Sequence, residues 1–187
     1  RMARKNALVR KLPSVETLGS TSVICADKTG TLTVDQMTVK KLYVSNEEIT
    51  VTGEGYSAEG SISKVDEAVK LLLRIGALCN DAALVRKGQK QVEGIFGDPT
   101  EAALLISALK AGIDSAEMAH SFRRIGEVQF DSKRKRMSTA SLIRGRPVMY
   151  TKGAPDVILN LCSHAYSNGR ISEVTAAAKK IILEANE

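Results

Sequence analysis

The spacing of apolar and polar positions changes several times along the chain, and each change marks an element. TSVICAD (21–27) is short, apolar and β-branched, the pattern of a buried strand. MTVKKLYV (37–44) and EEITVTG (47–53) read as strands joined by a Ser45-Asn46 turn, and the Gly- and Ser-rich residues 54–63 read as loop. KVDEAVKLLLRIGALCN (64–80) carries apolar residues at helical spacing, at Val65, Ala68, Val69, Leu72, Ile75, Leu78 and Cys79. GDPTEAALLISALKAG (97–112) is a second helix, with Asp98 as N-cap, Pro99 at the first helical position and Glu101 at the capping-box position. RRIGEVQF (123–130) is a strand, and RMSTASLI (136–143) and PVMYTKG (147–153) form a hairpin across Arg144-Gly145-Arg146. APDVILNLC (154–162) and residues 172–186 are predicted helices. Residues 1–20 are helical or irregular, with a short helix from Pro13-Ser14 to Gly19.

These elements describe an α/β chain: a strand and loop, then a mixed sheet with helices. The change of character near residue 36 predicts a boundary between residues 1–35 and 36–187. Of the 187 residues, 43% are hydrophobic, so a core can form. Only 4% are aromatic and none is tryptophan, so that core is mostly aliphatic. No apolar run approaches the ~18–20 residues of a membrane span, and Arg1–Lys11 is basic without the apolar stretch of a signal peptide. Cys25, Cys79 and Cys162 are far apart, odd in number and form no CxxC pair, so neither a zinc site nor a disulfide framework is indicated, and a reducing, cytoplasmic setting is the simplest reading. His120 and His164 share no motif. The net charge of +6 suits an anionic ligand. Its basic clusters lack the interleaved aromatics of a nucleic-acid surface, so no nucleic-acid partner is expected.

The sharpest local signal is CADKTGTLT (25–33). At the carboxyl end of a strand, Asp27 can attack a phosphoryl group or bind Mg²⁺ through oxygen. Gly30 permits a tight loop whose N–H groups and threonine hydroxyls suit phosphate oxygens, and Lys28 adds positive charge. Soluble phosphatases of the haloacid-dehalogenase kind resemble this stretch but carry a second aspartate where this chain has Thr29. A threonine does not relay protons as a carboxylate does, so a phosphoenzyme here should hydrolyse slowly on its own. The whole stretch KNALVRKLPSVETLGSTSVICADKTGTLT, with the trailing QMTV, resembles the phosphorylation signature of the P-type ATPases, the cation pumps. Asp35 stands where many members have asparagine. The resemblance implies Asp27 as the phosphorylated nucleophile, Lys28 and Thr29 as catalytic neighbours, and Asp27 with Thr29 beside Mg²⁺.

In that family a separate domain holds ATP, which calls for an aromatic face, a cation and polar groups at the rim. Taken singly, Phe130 reads as a core aromatic, Lys152 as a solvated hairpin end and Glu101 as a capping residue. Together, FDSKRKRMST (130–139), TKGAP (151–155) and GDPTEAALL (97–105) resemble pump nucleotide-domain motifs in the family's order. The resemblance implies that Phe130 stacks on adenine, Lys152 lines the deep end beside Gly153, and Glu101 accepts from the adenine amino group with Thr100 nearby. Lys135 and Met137 are implied as secondary pocket residues. Ser132 stands where calcium-pump relatives often have an arginine that reaches a phosphate, a role that would pass to Lys133 or Arg134 or be lost.

The implied fold is a partial haloacid-dehalogenase-like phosphorylation domain (1–35), followed by an α+β nucleotide-binding domain (36–187) with a mainly antiparallel sheet flanked by helices and truncated at its carboxyl end. The implied function is the ATP-binding and phosphorylation portion of a cation pump of calcium type, with ATP and Mg²⁺ as cofactors, at the cytoplasmic face of a membrane. Its partners would be the rest of the same pump: the remaining phosphorylation domain, the actuator domain and the membrane helices that hold the transported cation, which this chain does not bind. Arg1–Lys11 fits the end of a cytoplasmic stalk or a frayed basic terminus equally well. Two other classes fit parts of the pattern: a soluble dehalogenase-like phosphatase, and a nucleotide-binding module without catalysis.

Overall fold

The computed structural model describes residues 12–33, 36–87 and 91–186. The basic segment Arg1–Lys11 and the departure at Asp35 lie outside the described residues. The chain divides into two compact units, Arg1–Asp35 and Gln36–Glu187. In chain order the elements are α1 (Leu12–Gly19), β1 (Lys41–Val44), β2 (Glu47–Thr50), α2 (Glu67–Leu78), β3 (Ala83–Lys87), β4 (Gln91–Phe96), α3 (Pro99–Lys110), α4 (Ser115–Ser121), β5 (Arg123–Asp131), β6 (Arg136–Ile143), β7 (Arg146–Gly153), α5 (Pro155–Leu161), β8 (His164–Ser167), β9 (Arg170–Glu173) and α6 (Ala176–Glu184).

In the first unit, α1 is followed by extended chain and a single π-helical turn over Lys28–Leu32. The strand predicted at Thr21–Asp27 does not form. Val23 is 71% and Ile24 86% exposed, and no described strand pairs with the segment. An apolar, β-branched run becomes a buried strand only when neighbours satisfy its backbone on both edges, and local propensity cannot substitute for them.

In the second unit every described strand pair is antiparallel. The strands form the hairpins β1–β2, β3–β4 and β8–β9 and the three-stranded meander β5-β6-β7. Turn chemistry sets the registers. Ser45 and Asn46 both have positive φ, as do Arg144 with Gly145 and Asn168 with Gly169. Two consecutive left-handed residues make the turn whose twist matches that of a hairpin. Thus β6 and β7 pair without slippage from Arg136↔Gly153 to Ile143↔Arg146, whereas β5 is bulged against β6 at Arg124/Gly126 and at Val128/Asp131. The hairpins β3–β4 and β8–β9 and the helix α4 fall where the sequence pattern predicts none. The last predicted helix begins at Ala176 rather than 172, because residues 170–173 are strand β9.

α2 and α3 pack on each other, and α2 also meets β7. The buried stripe of α2 is Ala68, Val69, Leu73 and Ala77. It is turned slightly from the predicted stripe, so that Val65 and Leu72 are 39% and 40% exposed. Val69, Leu73 and Ala77 stack one helical turn apart against Leu105 and Ala108 of α3 and against Ile49, Val51 and Ile62. A second, smaller cluster of Cys79, Met137 and Tyr150 joins the end of α2 to the meander. Burial pushes the Cys79 thiol pKa up, so it stays protonated and donates to the Met137 carbonyl at 3.6 Å.

α4 is anchored by Asp114, which caps its N-terminus at the Ala116 N–H and pairs with Arg86 of β3 at 2.6 Å. Burial raises the Asp114 pKa, but the Arg86 hydrogen bond and charge and the backbone N–H groups outweigh it, so the net shift is downward. A carboxyl depressed on folding stabilises the fold above its unfolded pKa of about 3.9. That contribution is lost as pH falls through the folded value. Denaturant titrations across the acid range are therefore expected to show an acid-labile component that Asp114→Asn removes, with the variant already less stable at neutral pH.

Candidate functional site

Met137 of the smaller core cluster also lines a cavity of about 670 Å³, within the usual range for small-molecule sites. Its apolar lining is Phe130 of β5, Met137 of β6 and Leu104 of α3. Met137 is 1% exposed and forms a fixed floor, whereas Phe130 is 64% exposed and leaves a ring face open. A solvent-facing aromatic over an apolar floor can take a flat heteroaromatic group by stacking. Phe130 lies in the second bulge of β5, between the paired residues Val128 and Asp131.

The polar lining comes from the start of α3, from the end of β7 and from Asp81. Asp98 caps α3 by accepting from the Thr100 and Glu101 N–H groups. The Thr100 hydroxyl, with those N–H groups, holds the Asp98 carboxyl below its usual range. Glu101 is at the capping-box position but does not close the box. Its Oε1 accepts from Lys152 Nζ at 2.6 Å and its Oε2 from the Asp81 N–H at 3.1 Å. The two charged side chains are only 15% and 22% exposed, so the pair is poorly screened. Each carboxylate oxygen has a further lone pair, so Glu101 can still accept from a ligand N–H.

Gly153 ends β7 where the chain turns beneath residues 131–135. A Cβ at this position would lie 2.4 Å from the Lys135 carbonyl oxygen and 2.6 Å from the Arg136 Cβ. The absent side chain is therefore needed first by the protein's own backbone, which the Ala154 N–H to Lys135 C=O hydrogen bond (3.0 Å) holds in place. Gly153→Ala is expected to cost about 1–3 kcal/mol by overpacking, read as a lowered denaturant midpoint with an unchanged slope.

Of the residues singled out from the sequence, Glu101, Phe130, Met137, Lys152 and Gly153 line this cavity with Thr100, and Lys135 does not. Lys135 sits in the 131–135 turn with φ +51° and is exposed. Asp27, Lys28 and Thr29 belong to the other unit. Asp27 is extended and exposed at the start of the π turn, and Gly30 within it has φ +73°. Among the described residues, no group of three or more His, Cys, Asp or Glu side chains could hold a metal ion. Asp81, Asp98 and Leu104 are lining residues that the sequence reading did not single out for the pocket. Asp98 was legible only as a cap, and nothing local marks Asp81 or Leu104.

No helix among the described residues is long and apolar enough to cross a membrane. The family model described as "P-type ATPase, cytoplasmic domain N" matches residues 68–187. The whole chain is 38% identical over 187 residues to calcium-transporting ATPase 1 of Lactococcus lactis, covering 20% of that protein. It is 40% identical over 190 residues to a calcium-transporting ATPase of Listeria monocytogenes, again covering 20% of it. Over 171 residues, 87% of the chain, it is 43% identical to the probable cation-transporting ATPase F of Mycobacterium tuberculosis, covering 19% of that relative. The chain thus spans about a fifth of the length of the curated relatives it matches.

Proposed function

Because this chain belongs to the P-type ATPases, we propose that it is the ATP-binding and phosphorylation portion of a calcium-type cation pump. Residues 36–187 act as the nucleotide domain, and residues 1–35 supply part of a dehalogenase-like phosphorylation domain. What carries the reading is the convergence of Phe130, Glu101 and Lys152, from three separate elements, on one cavity. Adenine stacks on Phe130 above Met137, and Glu101 accepts from its amino group. Lys152 neutralises charge at the Glu101 end, and the phosphate role that an arginine at position 132 would fill passes to Lys133 or Arg134 of the 131–135 turn.

In the intact pump the Asp27 carboxylate attacks the γ-phosphorus of ATP, and the bond to the β–γ bridging oxygen breaks, giving an aspartyl phosphate and ADP. Lys28 offsets charge on the transferring group, and Thr29 leaves the product without a second carboxylate to speed hydrolysis. Mg²⁺, when bound, neutralises phosphate charge. Asp27 and Thr29 are the residues here that would face it, together with groups outside this chain. Neighbouring strands of the complete phosphorylation domain would pair with Thr21–Asp27. This chain, in which that segment is unpaired, binds nucleotide without turning it over, at the cytoplasmic face of the membrane that holds the parent pump. The dehalogenase-like phosphatase reading gains no support from the relatives, which are named as calcium- or cation-transporting ATPases.

Phe130→Ala is expected to weaken ATP binding by about 1–3 kcal/mol, the scale of base stacking on an aromatic ring. That is roughly 5- to 150-fold in Kd by calorimetric titration. Unchanged affinity would remove the cavity from consideration as the nucleotide site.

A further inference from the structure

The two walls that would grip the base, Phe130 on β5 and the Glu101 carboxylate on α3, are joined through a residue outside the cavity. Arg124 lies six positions before Phe130 on the same strand. Its Nη1 pairs with Asp81 Oδ1 at 2.8 Å and donates to the Asn80 carbonyl at 3.3 Å, and its Nη2 pairs with Glu127 at 2.6 Å. Asn80 and Asp81 lie in the short link between α2 and β3, and both hold Glu101. The Asn80 Nδ2 donates to the Glu101 carbonyl at 2.9 Å, and the Asp81 N–H donates to Glu101 Oε2 at 3.1 Å. Arg124 lines a neighbouring cavity of about 320 Å³, to which Asn80 also contributes, whereas Asp81 lines the larger one.

The side chains of Arg124, Asp81 and Glu127 are 34%, 44% and 42% exposed. Ion pairs this open to water add little to stability. A planar guanidinium bonded to a carboxylate, a carbonyl and a second carboxylate nevertheless fixes the direction of what it holds. What it holds is the peptide whose N–H aims Glu101.

We propose that Arg124 is a positioning residue for base recognition, locking the 80–81 link to β5 so that Glu101 presents a fixed acceptor to the base held on Phe130. This rests on the reading of the cavity as a nucleotide site. A fixed carboxylate accepts from an amino group and repels a carbonyl oxygen at the same place on the ring. The quantity that Arg124 controls is therefore the preference for a 6-amino purine over a 6-oxo purine.

The test is calorimetric titration of the 187-residue chain with ATP and with inosine triphosphate, which carries a carbonyl at that position and a proton on the adjacent N1. Wild type is expected to prefer ATP by about tenfold or more, the scale of one charge-assisted hydrogen bond. Arg124→Gln is expected to lower that ratio at least about threefold, with Arg124→Lys between the two. Equal weakening of both ligands at an unchanged ratio, or no change in either, would overturn the proposal. Should Arg124→Gln fail to fold, Asp81→Asn, which keeps the backbone N–H but weakens its anchor, decides by the same ratio. A wild-type chain that binds neither nucleotide would overturn the nucleotide reading itself. Wild type binding both equally would overturn base recognition by Glu101 and this proposal with it.

Discussion

Asp27→Asn in a complete pump containing this segment is expected to abolish acid-stable labelling from ATP radiolabelled at the γ-phosphate. An amide nitrogen and its carbonyl oxygen are far poorer nucleophiles than a carboxylate, and the segment CADKTGTLT offers no second carboxylate to take over. ATP binding should survive, because the Phe130 cavity belongs to the other unit. Labelling at the wild-type level would place the phosphorylated residue elsewhere. Loss of both labelling and binding would mean that Asp27 supports the nucleotide domain rather than reacting.

The second large effect is expected at Lys152. Lys152→Met leaves the Glu101 carboxylate, 15% exposed, with the Asp81 N–H as its remaining described donor. An under-satisfied charged group of this kind costs about 1–3 kcal/mol of stability. Removing the cation should also weaken ATP binding by about 10- to 100-fold, the worth of one charge-assisted contact. The two effects can be separated. A Lys152→Met/Glu101→Gln double variant removes the stranded charge, so stability should recover while affinity stays low. If the single substitution left both stability and affinity unchanged, the pair would be an incidental surface contact.

Some of this was legible in the sequence and some was not. The β6–β7 hairpin was legible because two strand-like runs flank a short turn containing Gly145, which accepts positive φ. Helix α3 was legible because Asp98 and Pro99 mark its start chemically. The β8–β9 hairpin carried an equally good turn signal in Asn168-Gly169, but its strands, HAYS and RISE, are too short and polar to stand out. The strand expected at 21–27 had the right composition, but a strand is made by its neighbours, and composition does not report them. In the site, the residue types were readable and their connections were not. Glu101 and Lys152 are 51 positions apart, and by sequence alone Glu101 reads as part of a cap. Only the fold shows that its carboxylate is oriented by Lys152 and by the Asp81 N–H, and that Arg124 holds the peptide carrying that N–H.

The most direct test of nucleotide binding at Phe130 is to titrate the isotopically labelled chain with ATP and map which backbone amides shift by NMR. The expected result is saturable shifts among the residues lining the 670 Å³ cavity, Thr100, Glu101, Phe130, Met137, Lys152 and Gly153 among them. Shifts centred instead on Glu54–Ser57, Glu59 and Val92, which line a separate cavity of about 560 Å³, with none at Phe130 or Lys152, would contradict it.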